Sequence, residues 1–221
     1  MSTLVYIGAN VGFSLGMLVN RFDSVYAFEP DPEMFEKLSS RYSGLTHVKL
    51  INAACSTEDG EATFYVTGNR VASSLGDGSK DFKDYHGYNA SVIKEITVKT
   101  INLAKYLDSE GVEFIDLYYS DAQGSDLNVM KTMKKFVDEK KIGELFMETH
   151  ADGHFLYEGL DNQLSGFKEI LSENYEFIHA SLGAFQGRIV TEENLVPGDP
   201  EFDSYWRLKD YQQGIGASLK A

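Results

Sequence analysis

The chain has 221 residues, 43% of them apolar, which is enough for one well-packed domain, and 34 acidic against 20 basic side chains give a formal charge of −14. Nucleic-acid binding is carried by Lys and Arg, so this balance excludes a long footprint on DNA or RNA and disfavours anionic lipid as a partner. A lone cysteine, Cys55, permits neither an internal disulfide nor a cysteine-based zinc site, and a reducing, cytoplasmic setting is expected.

Residues 4–20 carry no charge, but Gly8, Asn10, Gly12 and Gly16 interrupt them and no basic leader precedes them. They are too short for a membrane span, so a soluble protein without membrane insertion is expected. Instead Val5 to Ile7 reads as a strand ending in glycine, and residues 13–19 as a helix. The strand starts so early that the single domain, residues 1–221, is expected to be excised from a longer chain and fused there to other domains.

Residues 24–28 repeat the strand signal and stop at Glu29; Asp31 is a plausible N-cap and Pro32 the first position of a helix with Met34, Phe35 and Leu38 on one face. Residues 47–52 read as a third strand and residues 62–66 as an edge strand after the Asp59-Gly60 turn. Residues 68–91 are rich in Gly, Ser, Asp, Asn and Tyr without apolar periodicity, and read as a long loop of the kind that forms lids. Then follow an edge strand (96–100), a short helix (103–107), a strong strand (114–119) ending at Ser120-Asp121, a helix (127–136), and a strand (142–148) ending at Thr149-His150. A helix over 160–171 leads to strands at 175–180 and 187–191, joined by SLGAFQ as an antiparallel hairpin. The fold class is α/β, a mostly parallel sheet with one antiparallel edge.

In such sheets ligands bind beyond the carboxyl ends of the strands, at Gly8 to Gly12, Glu29, and residues 52–56, 121–124 and 148–154. Glu29 can accept both ribose hydroxyls of an adenosine cofactor. The spacing GANVG lacks the third glycine of the dinucleotide fingerprint, which weighs against a nicotinamide-dependent oxidoreductase.

The motifs IGANVG, AFEPDPEMFEKL, VKLINAACSTEDGEATFYV, SSL, VKTINL and FIDLYYSDAQGSDLNVMK stand in an order that resembles the FkbM-type S-adenosylmethionine-dependent methyltransferases over residues 4–150. The resemblance implies a Rossmann-like, seven-stranded methyltransferase sheet and O-methylation, often of sugar or polyketide hydroxyls. It places Gly8, Ala9, Asn10 and Gly12 beside the methionine part of the cofactor and Glu29 on the ribose. Asn52, Ala53 and Ala54 would border the adenine, and Asp121, Gln123 and Gly124 would face the methyl. Three positions depart from the family: Tyr6 stands where an acid is usual, Tyr119-Ser120 replace a lysine before the DxxG motif, and Asp126 replaces a glutamate.

Methyl transfer to a hydroxyl needs a base, for which Asp121 is the first candidate and His150 the second, with His154 a further option. Asp121, Glu148, His150, Asp152 and His154 could alternatively hold a divalent ion, but carboxylates and histidines after neighbouring strands converge without one, and the reading adopted has no metal. Tyr85, Tyr88, Phe155, Tyr157, Phe185, Tyr205 and Trp206 fall in loop-like or terminal segments, where aromatic rings could stack on a glycan acceptor. The rival from another class is a non-catalytic, cofactor-binding module of a larger protein.

Overall fold

A computed structural model describes residues 1–86, 91–182, 188–195 and 200–212. The first half of the main sheet runs β1 (Thr3–Ile7), α1 (Phe13–Gly16), β2 (Ser24–Phe28), α2 (Pro32–Tyr42) and β3 (Val48–Ile51). A small excursion follows: β4 (Ala54–Ser56), β5 (Gly60–Thr67), α3 (Lys80–His86) and β6 (Val92–Asn102). The chain returns through α4 (Leu103–Ser109), β7 (Ile115–Ser120), α5 (Asp126–Thr132), α6 (Lys134–Asp138) and β8 (Ile142–His150). It closes with α7 (Leu164–Leu171), β9 (Tyr175–Leu182), β10 (Arg188–Val190) and β11 (Glu201–Leu208).

The large sheet has eight strands in the order β10-β9-β11-β8-β7-β1-β2-β3, not seven, and β4-β6-β5 form a separate three-stranded sheet. Pairings from β3 to β8 are parallel, and those of β11 and β10 antiparallel. The expected hairpin exists as β9-β10 at the edge, but β11 inserts between β8 and β9. A strand that returns from the end of the chain into the middle of a sheet leaves no local sequence signal. Its alternation is also broken by a register shift between Tyr205 and Trp206. Both rings are buried, so they belong to the core and not to an acceptor surface.

Helices cover both faces of the central strands, which explains why β1 is buried at every position. Val5 and Ile7 join one core with Leu127, Phe136 and Phe167, while Leu4 and Tyr6 join another with Leu15, Phe22 and Leu38. The strand expected at 96–100 is longer and central in the small sheet, and the helix expected over 127–136 divides at Met133. Residues 68–86 are not an open loop. Ala72 and Phe82 pack with Leu156 and Tyr157, and Ser79 N donates to Leu156 O at 2.9 Å. Tyr88, Phe185 and residues 87–90 of the expected lid lie outside the described residues. Among the described residues no helix is long and apolar enough to cross a membrane.

Candidate active site

Beyond the carboxyl ends of β1, β2, β7 and β8 lies a cleft of about 780 Å3. One end is built largely from backbone. Gly8 has φ 73°, and a Cβ there would lie 1.9 Å from Asp121 O, so only glycine lets the turn after β1 close against the chain after β7. Gly8 N and Ala9 N donate to Phe28 O, locking that turn to the end of β2. The Glu29 carboxylate follows: Oε2 accepts from Asn10 N at 2.7 Å and Oε1 from Asp31 N at 2.8 Å. Burial raises its pKa to about 7 against the pull of those two amides. Each oxygen retains a lone pair, and Glu29 lines the cleft, as a ribose acceptor must. Phe28, Ala53, Ala54, Cys55, Phe64 and Leu75 form an apolar slot suited to a purine.

A strap not foreseen from sequence crosses this end. Asn10 Nδ2 donates to Arg70 O at 3.1 Å, and the Arg70 guanidinium donates to Asp31 Oδ2 at 2.6 Å and Glu33 Oε2 at 2.7 Å. Arg70 itself lines the cleft.

The other end is built from carboxylates. β8 pairs with β11 so that Glu148 faces Asp203, and β11 pairs with β9 so that Asp203 faces Ser181. β7 pairs Ser120 with Met147, which carries Asp121 to the next position, beside Glu148. Asp121, Glu148, Asp203 and Ser181 thus form one row across four strands, and all line the cleft. The Gln123 amide donates to Asp121 Oδ1 and Glu148 Oε2, both at 2.5 Å, while Gly124 N donates to Glu148 Oε1 at 3.1 Å. Tyr157 OH donates to Gln123 Oε1 at 2.5 Å, and Ser74 Oγ to Gln123 O at 2.6 Å, so the excursion fixes the loop after β7. Burial raises the pKa of Asp121, pushes Glu148 well above the usual range with help from the Glu201 charge, and lifts Asp203 to about 8. Tyr6 stacks on Tyr119 with centroids 4.3 Å apart, and both rings line this end.

Asp126 is fully buried behind the row, with its pKa raised to about 7 by burial. It accepts from Ser120 Oγ and Ala122 N and holds the turn between them. Asn162, absent from the sequence reading, accepts from Leu127 N at 2.8 Å and donates to Glu148 O at 3.1 Å, tying α5 to the end of β8.

Gly8, Ala9, Asn10, Glu29, Ala53, Ala54, Asp121 and Gln123 therefore converge on one cleft. Gly12, Asn52, Gly124, His150 and His154, all expected at the site, do not line it. Gly12 faces α2, where a Cβ would lie 2.4 Å from the Tyr42 ring, and its carbonyl accepts from Tyr42 OH at 2.6 Å. Asn52 points to the outside and clamps the turn after β2, donating to Glu29 O at 2.8 Å and Pro30 O at 3.1 Å. His150 is fully buried behind Glu148, with Nε2 3.2 Å from Glu148 Oε1 and its ring stacked on Tyr157. It cannot reach a substrate in the cleft as the expected second base. The alternative metal set Asp121, Glu148 and His150 is likewise not assembled, and no group of three or more His, Cys, Asp or Glu among the described residues could hold a metal ion. Tyr157 is buried, whereas Tyr85 is exposed and lines the cleft mouth. Glu201, Asp203, Ser181 and Arg70 were not anticipated; the first three sit on or beside strands whose order in the sheet is not a local property.

A doubly covered, mostly parallel sheet with a glycine turn after its first strand and an acid after its second defines the class of α/β proteins built to hold an adenosine-type ligand beyond their strand ends. Residues 7–177 match the family described as the Methyltransferase FkbM domain, and this chain belongs to that family. Among solved structures, it is similar to a methyltransferase FkbM from Methylobacillus flagellatus KT, with 13% identity over 93% of this chain and 43% of that one and a TM-score of 0.54. The chain thus spans less than half the length of that protein. An rRNA methylase from Streptococcus thermophilus aligns at 14% identity over 94% of this chain and 88% of that one, with a TM-score of 0.49. A Streptococcus mutans protein in complex with SAH aligns at 11% identity over 94% of this chain and 89% of that one, with a TM-score of 0.46. These likenesses concern the fold alone. No curated protein matches the sequence. Family membership replaces the nicotinamide alternative.

Proposed function

We propose that this chain is an S-adenosylmethionine-dependent O-methyltransferase acting on a sugar hydroxyl of a glycan. The observation that carries the reading is the meeting, in one cleft, of the Gly8–Asn10 turn and Glu29 with the carboxylates of Asp121 and Glu148. The donor groups suit the cofactor part by part. Glu29 would hold the ribose, the slot of Phe28, Ala53, Ala54 and Phe64 the purine, and the Gly8–Asn10 turn the methionine end, with Asp121 facing the methyl. Ser125 lines the same cleft, and its buried hydroxyl has no hydrogen-bond partner in the protein. S-adenosylmethionine, when bound, supplies a methyl group carried on a sulfonium.

The chain's own task is then to hold a hydroxyl in line with that methyl and to take its proton. Three observations support Asp121 in this role: it follows β7, lines the cleft and is oriented by the Gln123 amide. Desolvation raises its pKa and makes it a stronger base than an exposed carboxylate. Tyr6 and Tyr119, stacked on each other with Phe146 stacked on Tyr119, form a rigid wall at this end of the cleft. Radiolabelled methyl transfer onto a panel of sugars tests this role. Asp121→Asn should lower turnover by about 10²- to 10⁴-fold while S-adenosylhomocysteine binds almost as before. Unchanged turnover would remove Asp121 from the chemistry, and cofactor binding without transfer to any sugar would favour a binding module.

A further inference from the structure

What the acceptor carries besides its hydroxyl is addressed by the charge of the cleft. Asp121, Glu148 and Asp203 stand on neighbouring strands, with Glu201 one turn of the pleat further along β11, and all four line the cleft. Of the cleft-lining residues described, Arg70 alone is basic, and it lies at the other end with its guanidinium on Asp31 and Glu33. His150 meets the row only from behind, through Glu148. Like charges at adjacent cross-strand positions repel, so a cation, which relieves that repulsion and lets the row ionise, is favoured here over an anion, which adds to it.

The members of the row are not equivalent. Asp121 and Glu148 are bridged by the Gln123 amide, and Glu148 also accepts from Gly124 N. The half-buried Asp203 carboxylate feels only burial and the charges of Asp121, Glu201 and Asp126, with no donor on it among the described residues. Two independent features of the same cleft point to a ligand. Ser125 Oγ belongs to a residue only 4% exposed and has no hydrogen-bond partner. Asp203 itself is the second: it lines the cleft beside Glu148 and Ser181 with no donor on its carboxylate among the described residues.

We propose that the acceptor is an amino sugar or a related amino alcohol, bound as its ammonium ion, with Asp203 pairing with that charge while a neighbouring hydroxyl is presented for methylation. The proposal rests on the methyl-transfer reading above and narrows it. A nitrogen held as ammonium has no lone pair to take a methyl group, so the anchoring atom and the reacting atom are different. Uronic acids and sugar phosphates are rejected by the same carboxylates.

The test uses the whole chain. Protein saturated with S-adenosylhomocysteine is titrated calorimetrically with glucosamine, galactosamine, glucose, galactose, glucuronate and glucose 6-phosphate, and methyl transfer from S-adenosylmethionine is followed on the same panel. The aminated sugars should exceed their neutral counterparts by about tenfold or more in affinity or kcat/KM, with the methyl on oxygen. Asp203→Asn should bring that ratio towards one, through KM more than kcat, with S-adenosylhomocysteine affinity retained as proof of folding. Neutral or anionic sugars that equal or exceed the amines, a methyl on nitrogen, or a preference that survives Asp203→Asn overturns the proposal, and the first two need no variant. Absence of S-adenosylhomocysteine binding instead overturns the methyl-transfer reading, and this inference falls with it.

Discussion

At the end of the cleft proposed for the cofactor the polar contacts come from backbone amides and one carboxylate, Glu29, that they hold in place; at the end proposed for the acceptor they come from side chains on three strands far apart in the chain. The first arrangement is assembled within residues 8–31, a single strand-turn-helix-strand unit, and its geometry is fixed as soon as that unit folds. The second exists only once β7, β8 and β11 lie side by side. An end made from local backbone serves a constant ligand, whereas an end made from side chains on separate strands can change acceptor by substitution without disturbing the cofactor.

The sharpest break between the two ends is expected from Gly8→Ala. Its Cβ would collide with Asp121 O, and its φ of 73° strains any other residue, so the substitution couples both ends and should cost about 3 kcal/mol or more in urea unfolding. A loss below about 1 kcal/mol would mean that the turn relaxes freely and does not brace the loop after β7.

The pH dependence of stability separates the acid row from an ordinary acidic surface. Glu29 and Asp126 at about 7 and Asp203 at about 8 keep protons in the folded state that unfolded carboxylates release near pH 4. Their contribution is therefore present at low pH and lost as pH rises through about 7 to 8. The ligand-free protein should lose stability steadily, and Tm should fall, between about pH 5 and 8. A Tm that rises over this interval would show these groups ionised and compensated in the fold.

A smaller effect, confined to the cofactor end, is expected from Glu29→Gln. It keeps the shape but removes the charge and turns one of the two acceptor oxygens into an NH2 donor, and should weaken S-adenosylhomocysteine by about 1.5 to 3 kcal/mol without changing acceptor preference. Arg70→Ala should have the least influence on S-adenosylhomocysteine affinity, about 1 kcal/mol or less, because its guanidinium is engaged by Asp31 and Glu33 and its link to Asn10 runs through the backbone carbonyl that alanine keeps. It should speed cofactor release in stopped-flow chase experiments; an unchanged release rate would make the strap a structural tie only.

The same contrast explains how much could be read from sequence. The strands at 24–28 and 114–119, the Asp31 cap of α2, Glu29 and the Gly8 turn are local patterns, and the structure has them where periodicity and capping put them, within a residue or so. Asp121 and Glu148 were legible as strand-end residues because a parallel sheet aligns its carboxyl ends. Asp203 was not, since β11 runs antiparallel and reaches the cleft through its first residues. His150 was misjudged because it lies on β8 itself, two residues past Glu148, and segment 152–163 covers it. Gly12 and Asn52 support the site from outside: one admits Tyr42, the other holds the Glu29 carbonyl.

The central claim is that one cleft joins a cofactor end to an acceptor end. It is tested most directly by calorimetric titration of the chain with S-adenosylhomocysteine, at pH 6 and at pH 8. Saturable binding to one site is expected, tighter at pH 8 because a hydroxyl-binding Glu29 must be ionised and its free pKa lies at about 7. Absence of binding at millimolar ligand would contradict the account.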